Sequence, residues 1–224
     1  MAVAFDTSAE SHTGTTGSTS EASFDISITP SASVKGIVVY VVNASSTTDT
    51  ATSVKINPAG VNTDVPAVSG GRAVDTATEP GSCKAFFLGA GLPAGGSAWT
   101  VRVNRTNNTD VMYAVVQTFT ASVNTAVHTA GIVLLQDDGT LAEQSVTDGS
   151  TGVNSVRTAG LYSGLQSLAT AGASSTLDQS IDFGANGAVV VHETTAGQGS
   201  RSVGFSSGTS DDRAAPDGWT GAGN

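Results

Sequence analysis

Gly204-Phe-Ser206-Ser-Gly208 fits the G-x-S-x-G nucleophile elbow, in which a serine on a sharp strand-to-helix turn attacks a carbonyl with histidine and acid partners. That chemistry needs a strand before the serine, a helix after it, and partners that usually follow in the chain. A Gly-, Pro- and Asp-containing stretch follows instead, and the last histidine, His192, lies upstream. The pentapeptide therefore reads as a Gly-rich strand end and turn, with a hydrolase using Ser206 as the enzymatic rival. Asp137-Asp138-Gly139 and Asp211-Asp212 carry the oxygen ligands that calcium takes, but neither has the spaced loop of an EF-hand, and β-turns use the same residues. His12, His128 and His192 are too far apart to form a local metal motif and read as surface or turn residues.

Cys83 is the single cysteine, which excludes an intrachain disulfide and any Cys-rich zinc site. Beside Phe86-Phe87 it reads as a small buried hydrophobe, not a reactive thiol. Aromatic residues make up 5% of the chain, low for a face that stacks sugars, and the candidates are Trp99, Trp219, Tyr40, Tyr113 and Tyr162. Trp99 opens an apolar strand face and reads as core. Trp219 stands among small and polar residues near the C-terminus and reads as an anchor for a partner subunit. With Asp211, Asp212 and Arg213 it forms the candidate partner contact. No catalytic group, metal or cofactor is expected.

The elements that would position these residues are strands. About ten short runs rich in Val, Ile, Thr and Phe recur between clusters of Gly, Asn, Asp and Ser, the pattern of an all-β sandwich or barrel. Phe24-Asp-Ile26-Ser-Ile28 alternates strictly, putting its apolar residues on one face until Pro30 stops it. Residues 34–42 are almost continuously apolar, which predicts a strand covered on both faces and central in its sheet. In residues 99–103 the apolar side chains share one face and Thr100 and Arg102 the other. Further strands are predicted at 53–56, 84–88, 111–120, 127–135, 155–161, 180–183, 188–191 and 202–205. Turns are predicted at 137–139, 148–149 and 186–187, where Asp-Gly and Asn-Gly tolerate positive φ. Residues 163–177 have a helical flavour that Gly164, Gly172 and Ser174-Ser175 argue against.

Residues 7–23 contain no large apolar side chain and cannot offset their ordering entropy by burial, which predicts an arm over 1–23. A second loose tail is predicted over 210–224, leaving one β domain over 24–209. A chain of 224 residues commonly forms one all-β domain. Its 19 acidic and 9 basic residues, net charge −10, are scattered along the chain, which argues against nucleic-acid binding. The N-terminus lacks the basic and apolar regions of a secretory signal, and no apolar run approaches the roughly 20 residues that span a bilayer, so no membrane partner is expected. The sequons at Asn43, Asn104 and Asn107 matter only for secreted eukaryotic chains.

Three segments carry a resemblance: Val68-Ser-Gly-Gly-Arg72-Ala-Val-Asp75-Thr-Ala-Thr-Glu79-Pro-Gly, Gly131-Ile-Val-Leu-Leu-Gln-Asp-Asp-Gly-Thr-Leu-Ala-Glu-Gln144, and residues 192–215 from His192-Glu-Thr-Thr to Asp-Asp-Arg213-Ala-Ala. They resemble segments of tailed-bacteriophage proteins associated with virion structural genes, across much of residues 24–215. The resemblance implies a setting: a jelly-roll-like β-sandwich on the outer capsid surface of the virion, made in the host cytoplasm, that decorates or cements the shell or forms a head fibre. Its partner would be the major capsid protein of the same virion. By analogy with decoration proteins a homo-oligomer, with a trimer favoured, would suit the threefold positions of a shell. Arm and tail would order on neighbouring subunits. The alternative is a tail-associated receptor-binding module whose ligand is a surface glycan.

Overall fold

The computed structural model describes residues 3–12, 22–43, 51–75, 81–105, 111–121, 135–136, 143–147, 156–163, 170–182, 187–195, 197, 199–206 and 212–217. In chain order their strands are β1 (Ala4–His12), β2 (Ser23–Ile28), β3 (Val34–Asn43), β4 (Ala51–Ile56), β5 (Thr63–Val65), β6 (Ala67–Asp75), β7 (Gly81–Leu88), β8 (Trp99–Arg105) and β9 (Met112–Thr120). There follow β10 (Leu135–Gln136), β11 (Gln144–Thr147), β12 (Thr158–Ser163), β13 (Thr170–Ala171), β14 (Ser175–Asp182), β15 (Gly187–Glu193), β16 (Ser200–Val203), β17 (Phe205–Ser206) and β18 (Asp212–Asp217). Every pairing among them is antiparallel. The fold is all-β and sandwich-like, as the turn-punctuated apolar runs predict.

A central sheet of order β1-β9-β3-β7-β6 has a second sheet, β2-β8-β4-β5, on one face and a third, β10-β18-β12-β15-β14, on the other. Residues 34–42 fall in β3, and both predicted properties hold: the strand is in the middle of its sheet and buried on both faces. Ile37, Val39 and Val41 enter the core shared with the second sheet, and Val38, Tyr40 and Val42 the core shared with the third. β9 behaves likewise, sending Met112, Ala114 and Val116 one way and Tyr113, Val115 and Phe119 the other. Strands covered on both faces cannot alternate in polarity, which is why these two read as continuous apolar runs.

β2 and β8 alternate because their outer face is solvated. Phe24, Ile26 and Ile28 pair in register with Val103, Val101 and Trp99, while Asp25 stands opposite Arg102 on the wet face. The third sheet has a smaller apolar layer behind it, where Ala159, Leu161, Val189 and Val191 meet Val203 of β16 and Phe205 of β17. The run predicted at 202–205 divides there because Gly204 takes a φ of 139°, conformational space that side-chain-bearing residues avoid. β16 then pairs with β11, and β17 with β13.

Two boundaries need correction. Residues 4–12, expected in the arm, form β1 and pair along their length with β9. Residues 212–217, expected in the loose tail, form β18 between β10 and β12. Both expectations counted apolar side chains alone. A strand joining a sheet gains a ladder of main-chain hydrogen bonds, so it needs few apolar anchors, and for β1 these are Val3 just before it and Phe5 within it. The described part of 163–177 is strand and turn, in keeping with the argument against a helix there. Most of the strand predicted at 127–135, and the turns at 137–139 and 148–149, lie outside the described residues, as does Asn186 of the turn at 186–187.

Candidate functional site

Where β1, β9, β14 and β15 meet, the rim between central and third sheets is polar. A register shift between Leu177 and Gln179 in β14 turns Asp178 inward, where its side chain is 2% exposed. One carboxylate oxygen lies 2.7 Å from His192 Nδ1, and Gln117 Nε2 donates to the other at 2.5 Å. Gln117 also donates to the Val191 carbonyl at 3.3 Å, and its own Oε1 is buried without a hydrogen-bond partner. Phe5 lies flat on the imidazole, ring centroids 4.1 Å apart and planes 4° from parallel. Ser8 Oγ accepts from Gln179 Nε2 at 2.9 Å and donates to the Asp178 carbonyl at 3.4 Å. Burial pushes the Asp178 carboxyl above its usual range, opposed by His192 and the Gln117 hydrogen bond.

Behind this rim, Arg157 and Glu193 form a buried ion pair. Arg157 Nη1 is 3.1 Å from each carboxylate oxygen and also donates to the Gly197 carbonyl, while Nη2 donates to the Gly199 carbonyl. Arg201 reaches the same carboxylate from the other side, Nε to Oε2 at 3.2 Å, and donates to the Thr195 carbonyl at 2.7 Å. Two guanidiniums thus hold one carboxylate and the carbonyls of the turn from β15 to β16. Burial raises the Glu193 pKa, opposed by the charges of Arg157 and Arg201. The planar fork of arginine suits this multiple carbonyl and carboxylate capture in a way lysine cannot.

The central and third sheets also touch through Tyr40, whose ring lies over Gly160 so closely that a Cβ there would be 2.3 Å from it. Its hydroxyl is 2.5 Å from Thr158 Oγ1. A separate cavity of about 150 Å³ lies between Ala32, Val34, Lys35 and the loop 89–95. It is smaller than the roughly 300 Å³ of ordinary ligand pockets.

The sequence-derived candidates scatter. Asp211 and Trp219 lie outside the described residues, and Asp212 and Arg213 belong to β18, paired in register with Ser163 and Tyr162. Ser206 is exposed on β17, its carbonyl accepting from Thr170 Oγ1 at 2.8 Å, while His192 is committed to Asp178 and Phe5. Tyr40, Tyr113 and Trp99 are core residues and cannot stack a sugar, and Trp99 Nε1 donates to the Ala94 carbonyl at 3.0 Å. Cys83 is buried, as read. His128 and Asp137-Asp138-Gly139 lie outside the described residues, and His12 lies in β1. Among the described residues no three His, Cys, Asp or Glu side chains could hold a metal ion together.

The groups brought together, Gln117, Arg157, Asp178 and Glu193, were missed. Three of them interrupt or end an apolar strand run: Gln117 in Met-Tyr-Ala-Val-Val-Gln, Arg157 before Thr-Ala-Gly-Leu, and Glu193 after Val-Val-Val-His. A polar residue inside a buried run needs a partner, which is the signal that could have found them. Fold and rim together define an antiparallel, layered β protein with its polar groups used as internal ties. No known protein family, curated protein or solved structure matches the chain.

Proposed function

We propose that this chain is a non-enzymatic structural protein of a tailed-bacteriophage virion, bound to the outer capsid surface as a decoration or cement protein. The observation that supports this reading is how the phage-like segments are used. Residues 68–75 lie in β6 at an edge of the central sheet, and 135–136 form β10 at an edge of the third. Within 192–215, Glu193 and Arg201 tie the turn between β15 and β16, and 212–215 begin β18. The described parts of those segments build architecture, which is what a load-carrying shell component needs from its sequence. Edge strands are also the natural docking elements between neighbouring subunits. The major capsid protein is the proposed partner, and a homo-oligomer, trimeric at threefold positions, the proposed state.

Cryo-electron microscopy of the particle carrying this protein tests the reading. A repeated density on the shell lattice that accommodates the three-sheet stack is the expected result. Density confined to the tail would replace it with the receptor-binding alternative, and absence from the particle would overturn both.

A further inference from the structure

β1 is an edge strand held by a single ladder, as β2 and β14 near it are. It is the outermost strand of the central sheet, and its ladder runs only to β9. β9 is buried from Met112 to Phe119, whereas the described side chains of β1 are half-buried or exposed. Beyond the ladder, its side-chain hydrogen bonds and ring contacts come from Phe5, Asp6 and Ser8, the last held by Gln179 and the Asp178 carbonyl. Phe5 lies on His192 and meets Phe119 edge-on at 6.1 Å, and Asp6, the extra residue at a bulge, accepts from the Ser31 amide at 2.9 Å and from Thr118 Oγ1 at 3.0 Å. Every one of those partners is distant in sequence. The covalent tie to β2 is the ten residues 13–22, which can span up to roughly 35 Å.

We propose that β1 is a releasable clasp, locked by Phe5 on the His192–Asp178 pair, and that its seat along β9 accepts the β1 of a second copy of this chain. The seat fits that occupant residue by residue, since the same contacts form whether the strand comes from its own chain or another. Exchange therefore loses no interaction, only the advantage of a tethered partner. This holds independently of any virion role.

The test uses full-length chains in which the buried Cys83 is replaced by Cys83→Ala and one cysteine is introduced elsewhere. Ala4 and Thr120 are register partners at the outer end of the β1–β9 ladder, neither of them in the core, and ladder partners fall within disulfide reach. A chain with Ala4→Cys is mixed with one carrying Thr120→Cys in a glutathione redox buffer, with Val61→Cys, 82% exposed, as the collision control. The expected result is an Ala4→Cys/Thr120→Cys heterodimer forming at least tenfold faster than the Val61→Cys control. Adding Phe5→Ala to the Thr120→Cys chain, which frees that seat while leaving the donor strand intact, should speed it roughly another tenfold. A heterodimer no faster than the control, while Ala4→Cys and Thr120→Cys placed together in one chain close an internal disulfide, would overturn exchange. Insensitivity to Phe5→Ala would overturn the lock.

Discussion

On one face of β9, Met112, Ala114 and Val116 meet aliphatic and aromatic side chains of the second sheet; one residue further on, the opposite face presents Gln117 to Asp178, His192 and the third sheet. The first contact is dry and depends on shape and area. Around the third sheet an apolar centre is bounded by Tyr40–Thr158, the Asp178 cluster and the Arg157–Glu193–Arg201 set. Desolvating such groups is expensive, so that side gains less stability per area buried. One sheet thus uses shape on one face and matched polar partners on the other.

The largest effect expected from breaking this contrast is at Arg157. Arg157→Ala leaves Glu193 buried with only Arg201 opposite and frees two carbonyls, and should cost about 3–5 kcal/mol in denaturant unfolding. An Arg157→Met, Glu193→Leu double variant should recover much of that loss, because no buried charge is left unpaired. If the double variant were as unstable as the single, specific hydrogen bonds and not charge burial would be holding the turn. On the dry side, Ile56→Val removes one methylene from a fully buried residue and should cost about 0.5–1.5 kcal/mol by the same measurement. A much larger value would mean that this core is as intolerant as the polar side.

The same division decides what could be read from the sequence. Strict alternation in residues 24–28 and 99–103 reports one dry and one wet face, and continuous apolarity in 34–42 reports two dry ones. Those patterns are local, and the strands came out as expected. Asp178 and His192 are 14 residues apart, and Gln117 is 61 from Asp178. Their meeting depends on strand order and on a bulge at Asp178, neither of which is written in local periodicity. β1 was misread for a related reason, since its stability comes from a ladder with a strand more than a hundred residues away.

Asp178 makes the polar side depend on pH. Burial raises its pKa in the folded chain, so the folded state binds this proton more tightly than the unfolded state does. The stabilising contribution is complete below the unfolded value of about 4 and is lost as pH rises through the folded value. Asp178→Asn removes that dependence, and its amide can donate to Gln117 Oε1, which has no partner in the parent, once the Gln117 amide turns over. Relative to the parent, the variant should gain stability as pH climbs from about 4 towards neutrality, read from unfolding midpoints at successive pH values. A constant difference across that range would show that Asp178 keeps its ordinary pKa and that the rim carries no electrostatic cost.

The smallest effect belongs to the wet face of the second sheet. Arg102 reaches Asp25 with two hydrogen bonds of 2.7 Å, Nε to Oδ1 and Nη2 to Oδ2, a shorter and two-nitrogen contact where Arg157 offers both oxygens of Glu193 its Nη1 alone at 3.1 Å. Here both side chains stand in solvent, 37% and 41% exposed, and water competes for each charge. Arg102→Ala should therefore change stability by no more than a few tenths of a kcal/mol, and what change there is should vanish in about 1 M salt. A salt-insensitive loss comparable to that of Arg157→Ala would mean that guanidinium geometry alone sets the strength of these pairs. The expected gap between the two arginines assigns that strength to burial, because the exposed pair has the shorter, two-nitrogen contact and is still expected to contribute less.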